Sequence, residues 1–254
     1  INTLSYTLSE NLSKSTITFT QIGGSSDQSS PQVIELEGKE LEQGSYNDIQ
    51  LKNGPNLVNG SVYDIKMIGV DPAGNESIEL VISNITFDNE PPQVSISQPL
   101  DSEQIKNTVI SFISNEDIDK GFVIYKQTSG TADINSPHRI PIKSSNLSSG
   151  VHSDIDLGFT SQLADGGRYE VSIDAFDKAG NKAIASAISD VFFDILPPNL
   201  TLTEPVNGAY INSAIITYGT SEEMKKGTII FTRMNGSEDP NSPHIIELAG
   251  DQLK

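Results

Sequence analysis

Cysteine is absent from the 254-residue sequence, so neither a disulfide nor a thiolate metal site can be built from it. Tryptophan is absent too, and aromatic residues make up only 6% of the chain, mostly at positions that read as core. Clustered exposed aromatics, which a ligand-binding module tends to carry, are therefore missing. Basic charge is scarce: 16 Lys and Arg stand against 34 Asp and Glu, for a formal net charge of −18. That balance excludes nucleic acid or an anionic membrane as a partner, since both require basic surface. No apolar run approaches the roughly 18 residues of a membrane span, so no membrane insertion is expected in this segment. Histidine occurs three times, at His138, His152 and His244, and there is no glycine-rich phosphate loop or serine-nucleophile motif. A non-catalytic chain is expected. It opens on Ile1 without a charged leader and reads as a segment of something longer.

What is present is a repeat. Tyr63 and Tyr169, Asp71 and Asp177, and Pro91 and Pro197 are each 106 residues apart. Ser30-Pro31, Ser136-Pro137 and Ser242-Pro243 carry the same spacing through three copies. Laying residues 1–88 on 107–194 gives 26 identities in 88 positions without one insertion or deletion. A fixed period of this kind points to an array of small units rather than one large domain. The frame places a complete unit at 89–194, a unit lacking its first strand at 1–88, and one cut short at its C-terminal end at 195–254.

Within the complete unit, the alternation of apolar and polar residues predicts strands near 94–97, 108–113, 122–127, 139–142, 154–157, 169–176 and 184–193. Large apolar residues hold one parity across the copies. Leu4 and Tyr6 become Ile110 and Phe112, then Ile216 and Tyr218; Ile17 and Phe19 become Val123 and Tyr125, then Ile229 and Phe231. A single buried face requires that parity. Seven or so short strands in about 100 residues, with no helical periodicity, predict an all-β sandwich.

These residues also carry a family likeness. Leu163, Gly166 and Tyr169, repeated as Leu57, Gly60 and Tyr63, resemble the tyrosine corner of immunoglobulin and fibronectin type III sandwiches. The Asp-x-Ala-Gly-Asn turn, the Phe-Asp strand end and the Pro-Pro start are similar to tandem bacterial Ig-like repeats of large extracellular surface adhesins or fibres. The core Trp and inter-sheet cysteine pair of antibody domains are missing, so an antibody-type domain is not implied. The resemblance implies spacer or stalk repeats on a bacterial cell surface or in a filament, with neighbouring repeats, and lateral or filament contacts, as partners. The linker Asp88-Asn89-Glu90-Pro91-Pro92 agrees, because consecutive prolines fix φ and favour a stiff, extended exit. The alternatives are a glycan- or protein-binding module and an accessory module of a secreted enzyme.

Calcium at the junction is the sharpest site expectation. Sandwich connectivity gathers Asp88 and Glu90 of the linker, Glu116 of one loop, and Asp177 and Asn181 of another at one end of the complete unit. Calcium takes six to eight oxygen ligands from such loops. Glu10, Glu116 and Glu222 keep a glutamate in register, whereas Glu90 becomes Leu196. The competing reading makes Asp177 and Asn181 plain turn formers that bond their own backbone. The Ser-Pro loops place His138 and His244 near Asp133 and Asp239. The first copy has Gln32 in place of histidine, which favours a structural role for the loop.

Overall fold

A computed structural model describes residues 3–50 and 54–254, and all statements below concern these residues. The chain is all-β, its only helices being short 3-10 turns. No helix is long and apolar enough to cross a membrane.

The central part is a two-layered sandwich. One sheet has the order His138–Pro141, Lys120–Gly130, Gly167–Phe176, Ile188–Phe193, Gln104–Ile105. The other runs Gly150–Asp156, Val109–Ser114, Gln93–Gln98, Ile184–Ala185. The alternation read in the sequence decides which residues meet between the layers. Val94, Ile96, Ile110 and Phe112 face Val123, Tyr125, Val171, Ile173, Ala175, Val191 and Phe193, all of them buried. The opposite parity of the same strands faces out. There Phe122, paired across the sheet with Asp174, lies under the Arg139 guanidinium at 3.4 Å. This strand order, with its corner tyrosine, defines an immunoglobulin/fibronectin type III-like sandwich.

Two features differ from the sequence expectation. The strand expected over 184–193 is two strands, Ile184–Ala185 and Ile188–Phe193, which belong to different sheets. Ser186 and Ala187 interrupt the parity between them. Ser186 bonds across to the first strand, its amide to the Val94 carbonyl and its hydroxyl accepting the Ile96 amide. The switch lets one segment join both layers, as the edge strand beside Gln93–Gln98 in one and between Gly167–Phe176 and Gln104–Ile105 in the other. The strands left at these two edges are only two residues long, which limits the unpaired edge. Gln104–Ile105 itself, two residues long, has no alternation to betray it.

The flanking residues form the same kind of sheet. Before the central sandwich lies a sheet ordered Gln32–Glu35, Lys14–Gly24, Ser61–Val70, Leu80–Phe87, with Thr3–Leu8 paired to Gly44–Gln50. Its core is Ile17, Phe19, Ile34, Leu36 and Tyr63. After it, Leu200–Glu204 pairs with Thr217–Thr220, and Thr228–Phe231 with His244–Glu247.

Candidate cation site at the linker

Residues 88–93 connect Leu80–Phe87 to the central sandwich, and neighbouring loops hold them from both sides. The Asn89 amide donates to Asn59 Oδ1 at 2.9 Å, and Asn59 lies just ahead of the strand that carries Tyr63. The Glu90 amide donates to Asp88 Oδ1 at 3.2 Å. The Gln93 amide donates to Asn115 Oδ1 at 2.8 Å, and the Asn115 amide returns a bond to the Gln93 carbonyl. Pro91 and Pro92 have no amide hydrogen to satisfy.

The turn at 177–181 reaches the linker from the central sandwich. Its form is dictated locally: Asp177 Oδ1 accepts the Asn181 amide at 2.8 Å, and Gly180 takes φ +90°, a region that suits glycine. Asp177 Oδ2 accepts Asn181 Nδ2, also at 2.8 Å. Asp71 and Asn75 make the same two bonds in the preceding sheet. Asn181 also reaches the linker, its Nδ2 donating to the Asp88 carbonyl at 3.2 Å and approaching the Glu90 carbonyl at 3.5 Å.

Of the five residues expected at this site, Asp88, Glu116 and Asp177 converge, with one carboxylate oxygen from each lying within 4.8 Å of the others. Asp88 and Glu116 are half-buried and Asp177 is buried. Glu90 is not a member of that trio, although its charge is felt by Glu116. Asn181 presents its amide nitrogen to the linker and to Asp177, so it serves as a brace. Burial raises the Glu116 carboxyl above its usual range, and the charges of Asp88, Asp177, Glu90 and Asp117 push it further. The following linker repeats the chemistry. There burial raises Glu222, followed by the charge and hydrogen bond of Asp194 and the charge of Asp165. Asp165 Oδ1 accepts the Ile195 amide at 2.8 Å, as Asn59 accepts Asn89.

The donor set at Asp88, Glu116 and Asp177 is all oxygen and all anionic. It fits a hard divalent cation, calcium above all, whose coordination tolerates irregular sets of loop oxygens. Nitrogen and sulfur donors, which a softer metal would favour, are absent from the trio.

The Ser-Pro loops hold a network that sequence reasoning missed. The Tyr169 hydroxyl accepts the Ala164 amide at 2.8 Å, completing the corner, and donates to Asp133 Oδ2 at 2.8 Å. His138 Nε2 contacts the same Oδ2 at 2.6 Å, and both side chains are almost wholly buried. In the preceding sheet Tyr63 bonds Asp27 Oδ2 at 2.9 Å, and Gln32 Nε2 takes the place of the imidazole at 2.7 Å. His244 meets Asp239 in the same way. The position therefore requires one N–H donor, which either side chain supplies. Because Tyr169 and His138 converge on a single carboxylate oxygen, they form no nucleophile–base–acid relay of the kind acyl transfer needs. The signal available in the sequence was an aspartate in register in all three loops, at Asp27, Asp133 and Asp239.

No protein-family model matches the chain, and no curated protein matches it. Several solved structures are similar, including the following two. One is a tetra-tandem repeat in the extending region of a large adhesion protein, at 14% identity and a TM-score of 0.31, covering all of this chain. The other comprises the FN1–FN3 domains of chicken CNTN1, at 13% identity and a TM-score of 0.27, covering 94% of this chain and 76% of that one. The chain spans 61% of the length of the adhesion-protein structure.

Proposed function

We propose that the chain is a run of non-catalytic spacer repeats, each 106 residues long, from a bacterial cell-surface adhesin or extracellular filament. The divisions fall at 1–88, 89–194 and 195–254. Corresponding strands support the period: Lys14–Gly24 precedes Lys120–Gly130 by 106 residues, and Gln32–Glu35, His138–Pro141 and His244–Glu247 follow one another at that same interval. The observation that carries the reading is the linker at 88–93, whose amides are bonded in turn by a loop of the preceding sheet, by Asp88 and by a loop of the following sandwich. A joint tied from both sides sets a distance and a direction, which is what a spacer does.

Calcium belongs to the proposal as the ion of the joint. Asp88, Glu116 and Asp177 would hold it; when bound it supplies the positive charge that relieves their repulsion and ties linker to loops. Without it, burial first and then the neighbouring charges, Asp88 and Asp177 foremost, raise the Glu116 carboxyl. Calcium titration of the full chain, followed by thermal unfolding, tests this. At millimolar calcium, the regime of extracellular modules, the melting temperature should rise in the wild type and stay fixed in Asp177→Asn. A wild type indifferent to millimolar calcium would remove the ion from the account.

A further inference from the structure

The proline pair cannot by itself fix the orientation of one unit on the next, because ψ at Pro92 and both dihedrals of Asp88 and Asn89 stay free. Hydrogen bonds restrict them. Asn59, Asn115 and Asn181 come from three different loops, and each bonds a different part of the linker backbone. Asn59 belongs to the unit the linker leaves, while Asn115 and Asn181 belong to the unit it enters. Asn181 is the only one of the three that reaches back across the prolines, from the turn at 177–181 to the Asp88 carbonyl directly after Phe87. The Pro92 carbonyl accepts the Ile184 amide at 2.9 Å, so the far end of the linker is pinned to the strand that follows the turn.

We propose that these asparagines form a latch that fixes the angle of the joint before any cation arrives, with Asn181 as the side chain that closes it. The latch does not rest on the calcium reading. Its donors and acceptors are neutral amides and carbonyls, so their bonds survive in the absence of a divalent ion. Asn75 shows what the turn requires without a latch. It braces Asp71 with the same two bonds and needs no linker to do so. The extra bonds of Asn181 therefore serve the joint and not the turn. The second linker has amides bonded at the corresponding places by other side chains, Ile195 on Asp165 Oδ1 and Asn199 on Ser221 Oγ, both at 2.8 Å.

The cysteine-free chain allows a direct test. Spin labels at Asn47→Cys and Lys126→Cys, both on exposed positions of adjacent units, report the distance across the joint by pulsed electron resonance. In EDTA the otherwise unaltered chain should give one narrow distance distribution. Asn181→Ala should at least double its width, and Asn75→Ala, which removes the matching side-chain bond to Asp71 in the other turn, should leave it unchanged. Asn59→Ala opens the latch from the other side without disturbing the turn, and should broaden the distribution as well. A distribution already broad in EDTA that narrows with calcium would overturn the latch and leave the calcium reading standing. A distribution narrow in EDTA and unmoved by calcium would support the latch and count against the ion. Widths in Asn181→Ala and Asn59→Ala equal to the parent, in folded protein, would overturn the latch outright.

Discussion

Tyr125 and Tyr169 lie edge to face in one core, with ring centroids 6.2 Å apart, yet their hydroxyls fare differently. Tyr169 is bonded to Ala164 and Asp133, and its hydroxyl pKa is pushed up to about 12 by burial and by the Asp133 carboxylate. The Tyr125 hydroxyl is buried with no partner among the described residues, and burial alone raises its pKa. Phe19 and Phe231 hold the corresponding places in the neighbouring units. Tyr125→Phe should therefore stabilise the protein by about 1 kcal/mol, since an unsatisfied buried hydroxyl costs roughly that much. Tyr169→Phe should cost about 1–3 kcal/mol, because it strands the Ala164 amide and takes a donor from Asp133. Urea denaturation of both variants measures the opposite signs. Acid sensitivity follows from the same carboxylate. Burial works to raise Asp133, but hydrogen bonds from His138, Tyr169 and the Asn135 amide outweigh it, and its folded pKa lies below the ordinary 3.8. A depressed carboxyl contributes stability that is present above that ordinary value and is lost as pH falls through the folded one. Glu116 has the opposite sign: its raised pKa means that stability is lost as pH rises through it. Asp133→Asn should flatten the acid limb of a stability–pH curve, whereas Glu116→Gln should raise stability at neutral pH in EDTA.

The long strands of the core were most legible where the alternation holds over six or more residues. Gly167–Phe176 follows it throughout, buried and half-buried in turn. Elements that depend on partners distant in sequence were not legible. The split of 184–193 follows from its pairing with a different strand in each sheet, and Gln104–Ile105 exists only as the parallel partner of Phe192 and Phe193. The corner tyrosines were visible from their spacing to leucine and glycine, while Asp27 and Asp133 stand 36 residues away from them, and only the folded register joins the two. At the cation site the sequence supplied five oxygen-bearing residues, but not the fact that Asn181 offers nitrogen to the linker. One glycine shows how tightly strand ends meet. Gly130 has φ +82°, and a Cβ there would lie 2.2 Å from the Gly166 carbonyl oxygen. Gly130→Ala should destabilise the central sandwich by more than about 1 kcal/mol, measured by chemical denaturation, because strain and collision both oppose the methyl group.

Charge and connection act together across the whole molecule. A net charge of −18 spread over the units makes them repel one another. If the linkers were loose, that repulsion would stretch the chain at low salt and release it at high salt, where the Debye length falls from about 30 Å at 0.01 M to about 3 Å at 1 M. If hydrogen bonds and the acidic joint set the linkers, screening changes energies and leaves the shape alone. Surface ion pairs such as Lys14–Glu35 and Arg168–Asp190 contribute little to either outcome, since exposed pairs are worth about 0–1 kcal/mol. Small-angle scattering of the full chain across that salt range, in millimolar calcium, separates the two cases. A spacer with fixed joints should keep the same maximum dimension and rod-like profile from low salt to high. Contraction as salt rises, with the profile of units moving freely on a string, would contradict the account.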